Sequence, residues 1–149
     1  MKSWLTLIWT SAVLMLAAGC GDEGTWEESG RETVEEETEF VLEYMEAWEE
    51  SLERQSFSFM EPYYILNTHG YHTERRQHQQ LSASRTIERV EEVQDIQAEE
   101  NEYGEERIAV TGVFVSDRGG EEERREGTRY YYLQLQNDEY KIDAIGREQ

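Results

Sequence analysis

Apolar side chains recur at helical spacing in the first half of this chain and at every second position in its last third. Such a chain has to fold as helices followed by strands. Val34, Val41, Tyr44, Met45, Trp48 and Leu52 share one side of a helical wheel, while Glu35, Glu36, Glu39, Glu43, Glu46, Glu49 and Glu50 fill the rest of it. That pattern describes a helix with one buried and one solvated face. Thr33-Val34-Glu35-Glu36 has the form of a capping box, in which hydroxyl and carboxylate satisfy each other's orphan backbone donors. Acids crowd the first turn, where the helix dipole favours them.

Residues 56–66 concentrate apolar side chains around Pro62, the only proline, and read as a brief helix packed on the first. Asn67-Thr68-His69-Gly70 is a turn signal, and residues 71–81 are polar and helix-compatible. Then the period changes. Val93, Ile96 and Ala98 mark a first strand, and residues 107–115, rich in β-branched side chains, a second. Gly119-Gly120 and the charge run 121–126 read as an exposed connection. Residues 128–136 and 139–145 alternate apolar and polar positions and are joined at Asn137-Asp138, residues that tolerate the left-handed conformations of a tight hairpin. Helices first and a meander afterwards give an α+β class with an antiparallel sheet.

The N-terminus carries a different message. Lys2 is a minimal positive region, residues 4–16 are apolar, and Ala17-Ala18-Gly19 offers small side chains for cleavage, so residues 1–19 read as a signal peptide. The apolar run is short for a spanning helix, which needs about 20 residues. Leu16-Ala17-Ala18-Gly19-Cys20 resembles the bacterial lipobox, which implies that Cys20 is lipidated and becomes the mature N-terminus. Cys20 is the only cysteine, so it has no partner within the chain for a disulfide. Stable anchoring takes two or more acyl chains, and the diacylglyceryl group of lipobox proteins supplies them. The expected location is the extracytoplasmic face of a bacterial cell membrane.

Residues 20–33 are acids, glycines and small polar residues without apolar periodicity, and read as a flexible tether in which Trp26 is an isolated exposed aromatic. The remainder, residues 34–149, is one domain of ordinary size. The whole chain of 149 residues carries a formal charge of -20. That excludes nucleic acid as a routine partner, because phosphates need a positive face. It favours a cationic peptide, protein or envelope polymer.

A family resemblance joins these elements. The long amphipathic helix, the segment Phe57-Ser58-Phe59-Met60-Glu61-Pro62-Tyr63, the polar helix and the closing strands from Tyr130 to Ile145 resemble the nuclear transport factor 2-like superfamily. Within it they are most similar to the C-terminal domain of the TcaA membrane proteins, over about residues 38–146. The zinc ribbon and membrane segment of those proteins have no counterpart here. The resemblance implies a cone: a curved sheet wrapped by helices. It transfers no function, because one fold hosts many.

Packing accounts for most of the residues that catalysis or metal binding would use. Tyr63, Tyr64, Tyr130, Tyr132, Asp95 and Asp143 are residue types that cone enzymes use, but no spacing forces any pair together. His69 and His72, three residues apart, and His78 raise a metal reading, but Gly70 lies between the first two in a turn signal, no cysteine completes a tetrahedral set and Glu74 alone is weak corroboration, so the histidines read as polar surface residues. Ser82 and Ser84 show no nucleophile motif. The expectation is a non-enzymatic binding domain without cofactor, metal or catalytic residues. The alternative is a small-molecule or catalytic site in the cone pocket. An interior filled by Trp, Tyr and Phe side chains favours the first; an open polar cavity, where a ligand would depend on interior residues such as Tyr132 or Phe114, favours the second.

Overall fold

The computed structural model describes residues 24–148. The signal peptide and Cys20 lie outside the described residues. In chain order the elements are β1 (Trp26–Glu28), α1 (Val34–Glu53), a 3₁₀ segment (Phe57–Tyr63), α2 (His69–Ala83), β2 (Thr86–Asn101), β3 (Glu106–Arg118), β4 (Glu121–Gln136) and β5 (Glu139–Glu148). The strands form one antiparallel sheet in the order β1-β2-β3-β4-β5. Both helices and the 3₁₀ segment pack on its inner face, which makes the α+β cone.

The helical stripe is buried as its spacing requires. Val41, Tyr44, Met45, Trp48 and Leu52 all lie in the core. Alternation in the strands sorts the sheet's two faces. Ile108 and Val110 of β3, Tyr131 and Leu133 of β4 and Ile142 of β5 belong to the core under the helices. Arg107, Tyr130 and Tyr132 therefore point to the outer face.

The sheet curls because its ladder is interrupted. Register shifts fall in β2 between Val90 and Glu92 and between Val93 and Asp95, and in the β4–β5 ladder between Tyr132 and Leu133. Such bulges bend a strand and increase its twist. Gly112 sits against the β2 bulges, where a Cβ would stand 2.2 Å from the Glu92 carbonyl oxygen. Only glycine lets the two strands approach so closely. Asn137 and Asp138 adopt φ values of 51° and 63°, the left-handed pair that closes the β4–β5 hairpin.

Four sequence expectations need correction. The tether is not unstructured throughout: Trp26–Glu28 pairs with Asn101, Glu100 and Glu99 of β2, so the folded unit begins before residue 34. The ladder satisfies these backbone groups, and Trp26 packs on the outer face; neither partner is legible in the local composition. The capping box does not form. Thr33 has φ -88° and ψ 2°, outside the extended conformation of an N-cap, and its hydroxyl donates instead to Glu37 Oε1 at 3.2 Å. His69 and Gly70 are not a turn but the first residues of α2. Thr68 caps this helix, accepting from Tyr71 N–H at 3.1 Å. Finally, residues 121–126 are strand, not connection. Cross-strand ion pairs of Arg124 with Glu91 (2.9 Å) and of Arg89 with Glu122 (2.8 Å) line this charged end of the sheet, and only Gly119 and Gly120 form the turn.

Candidate functional site

The inside of the cone is built from α1 outward. Tyr44, one helical turn before Trp48, meets the rings of Tyr63, Tyr64 and Tyr131 with centroids 5.7 Å away, and that of Trp48 at 6.2 Å. Its hydroxyl shares a 2.5 Å hydrogen bond with that of Tyr64. Burial pushes the Tyr44 and Tyr64 hydroxyls well above their ordinary range, so both remain neutral phenols. These rings pack together inside the cone. Beside Tyr44, Trp48 and Tyr131 a void of about 10 Å³ remains, room for about one water.

Two ion pairs close the wide end. Arg147 of β5 donates from both Nη atoms to the Glu74 carboxylate of α2, at 2.9 and 2.7 Å, and Glu74 is 1% exposed. Burial works against the Arg147 charge, but the bonds and the charge of Glu74 outweigh it and hold the guanidinium above its ordinary value. Arg129 donates to Glu88 at 3.0 Å and lies 3.9 Å over the Phe114 ring. Outside these pairs opens a cleft of about 640 Å³, walled by Gln77 and Leu81 of α2 and by Phe114, Ser116 and Arg125 of the sheet.

His78 corrects a second group of expectations, because it is a core residue and not a surface one, at 2% exposed. Its ring packs between Trp48 (5.4 Å) and Phe57 (5.3 Å). Ser51 donates its only hydroxyl proton to the Trp48 carbonyl at 2.7 Å, so the 3.0 Å contact between Ser51 Oγ and His78 Nε2 requires Nε2 to donate. That polarity is the reverse of a serine activated by a histidine base. His69 and His72 are exposed on α2. Among the described residues no three His, Cys, Asp or Glu side chains are grouped to hold a metal ion. Ser82 reaches the other nitrogen of His78 at 3.4 Å, and Ser84 bonds the Leu81 carbonyl and Thr86.

Burial lowers the proton affinity of His78 from its ordinary value, with the Ser51 contact opposing in part. The unfolded chain then takes up this proton at a higher pH than the fold does. The His78 contribution is complete above about pH 6.5 and is lost as pH falls through the folded value. Urea melts of the wild type against His78→Asn are expected to show a fall in stability below pH 6.5 that the variant lacks. Parallel pH profiles for the two proteins would contradict the burial of a neutral ring.

The outer face carries a constellation that sequence reasoning missed. The Arg107 guanidinium is sandwiched 4.0 Å from the Trp26 ring and 4.0 Å from the Tyr130 ring. It donates to Glu99 at 2.5 Å and to the Tyr132 hydroxyl at 3.2 Å. Trp26 meets Tyr132 edge-on at 5.6 Å. Beside this stack runs a trough of about 880 Å³. The only legible signal was the alternation of Tyr130, Tyr131 and Tyr132, which puts the outer two on one face. Of the residues weighed for catalysis, Tyr64 is inside the cone, Tyr63 packs at its side against Phe40, Tyr130 and Tyr132 are outside, Asp95 is exposed, and Asp143 lines the trough. Of these the fold brings Tyr132 and Asp143 together at the trough, and Tyr132, which the sequence placed in the interior, is on the outer face.

A curled antiparallel sheet closed by helices over a filled aromatic interior defines the class: a cone-shaped α+β domain. The chain belongs to the family described as the TcaA protein NTF2-like domain, whose model matches residues 33–146. No curated protein matches it. Membership relates the chain to the TcaA membrane proteins it resembles in sequence. Among the described residues no helix is long and apolar enough to cross a membrane.

Proposed function

We propose that this protein is an extracytoplasmic lipoprotein, anchored to the bacterial cell membrane through acyl chains on Cys20, whose domain binds a cationic partner and carries out no catalysis. The observation that carries the binding reading is the filled cone. Tyr44, Trp48 and Tyr131 border a void of about 10 Å³, well below the about 300–1,000 Å³ of pockets that hold small molecules, and the roomier clefts of about 640 and 880 Å³ lie outside this aromatic cluster. The formal charge of -20 then selects the partner. Such a field draws in basic peptides, proteins or polymers and repels nucleic acid.

One preparation tests both parts. Cells expressing the wild type are expected to retain it in the membrane fraction, and cells expressing Cys20→Ser to leave it unprocessed and without acyl label or to release it. Immobilised Cys20→Ser protein, offered an envelope extract, is expected to capture a basic component that is lost as salt passes about 0.15 M, where the screening length is about 8 Å. Unchanged acyl label in Cys20→Ser would remove the anchor. Salt-insensitive capture of a neutral small molecule, abolished by Phe114→Ala in the mouth cleft, would replace partner binding with the pocket reading.

A further inference from the structure

We propose that the outer-face trough beside Trp26 is the docking site for an extended peptide segment of a partner protein that carries lysine or arginine. The inference rests on the cationic-partner reading and gives that partner its place on the domain. The trough is lined by Trp26, Tyr132, Ala144 and Gly146, and Glu105 and Asp143 are among the residues that border it. Its lining residues include three acids, Glu105, Glu106 and Asp143, and no base. Glu106 is already paired with Arg31 and Glu105 accepts from the neutral Asn101 side-chain amide, so the charges of Glu105 and Asp143 are the ones an incoming cation would meet. The Arg31 guanidinium is held by Glu37 and Glu106, and that of Arg107, stacked on Trp26 and Tyr130, by Glu99 and Tyr132. An anionic ligand would meet three carboxylates and no lining cation, with the Tyr132 hydroxyl and the Gln134 amide as the donors left to it.

Aromatic faces beside carboxylates suit a basic side chain, because the rings pack against its methylene stem and attract the charge at its end. The domain contains its own example, since the same wall residue, Trp26, already holds the Arg107 guanidinium 4.0 Å from its ring. The small residues Ala144 and Gly146 leave depth for a side chain. Charge complementarity at the trough, more than the general field, fixes where the segment lies.

The test must separate this site from attraction to an acidic protein at large, so its main variant is uncharged. A Cβ added at Gly146 would meet Tyr130 and Tyr132 side-chain atoms at 3.6–3.7 Å, ordinary contact. The Cβ of Gly146→Val is thus accommodated, and its two methyls add bulk beside Tyr130 and Tyr132. The full chain in detergent is titrated with a labelled lysine-rich peptide at low salt, and with a neutral N-acetylglucosamine oligomer. Gly146→Val is expected to weaken the peptide about tenfold or more, a change of about 1.4 kcal/mol, whereas Ser116→Val in the cone mouth leaves it unchanged. A second pair guards against misfolding: Gln134→Arg, on the exposed side of the trough, is expected to weaken binding, and Gln79→Arg on α2, with the same charge change, much less. Wild-type affinity in both Gly146→Val and Gln134→Arg, with salt sensitivity intact, would overturn the trough and leave the cationic-partner reading standing. Failure of the wild type to bind the peptide, or tighter binding of the oligosaccharide, would overturn both.

Discussion

Trp48→Ala is expected to cost about 3–5 kcal/mol of folding stability, the range for large aromatic side chains truncated in a core. Trp48 is 4% exposed and touches the rings of both Tyr44 and His78, so it links α1 to the tyrosine cluster and to α2. Its indole N–H has no hydrogen-bond partner among the described residues, and truncation strands no donor or acceptor there. The whole loss is then packing. Urea melts followed by circular dichroism measure it, and Trp48→Phe, which retains a ring, is expected to lose clearly less. A loss below about 1 kcal/mol for the alanine variant would place Trp48 outside the core and remove the basis for a filled cone.

Glu74→Gln is expected to be nearly as damaging, at about 3–5 kcal/mol, because it leaves the Arg147 guanidinium short of its counter-charge. The Arg147 side chain is only 28% exposed and spends both Nη donors on Glu74. The companion variant, Glu74→Leu with Arg147→Met, removes both charges and keeps the bulk. It is expected to recover most of the loss, since well-packed apolar replacements of buried pairs are often neutral. If Glu74→Gln cost less than about 1 kcal/mol, the pair would behave as a surface bridge, and α2 would be held on β5 by other contacts. One is already visible. Gly70 lies so close to the β5 backbone that a Cβ would stand 1.8 Å from the Asp143 carbonyl oxygen.

The α1 stripe and the β4–β5 hairpin were legible because both depend on neighbours in sequence. A helix of period 3.6 buries Val41, Tyr44, Trp48 and Leu52 together whatever lies opposite, and Asn137-Asp138 closes a hairpin through its own backbone angles. The same logic gave the order of elements and the α+β class. It misled at Thr33, where a capping motif was present but the entering chain took another conformation, because Arg31 and Thr33 instead bind the buried Glu37 carboxylate.

Long-range partners decided the rest. Trp26 looked like part of a tether because nothing near it in sequence is apolar. Its ladder partners in β2 lie more than seventy residues away, and Arg107, which stacks on it, further still. His78 looked like a surface residue because its own helix is polar. It is buried only because Trp48 and Phe57 close around it. Spacing along the chain therefore determined which elements form and which face of each is apolar, since those follow from local geometry. Only the tertiary structure decided that the cone is filled, that Glu74 meets Arg147, and that an aromatic trough lies on the outer face, because each depends on side chains brought together from distant elements by the curl of the sheet.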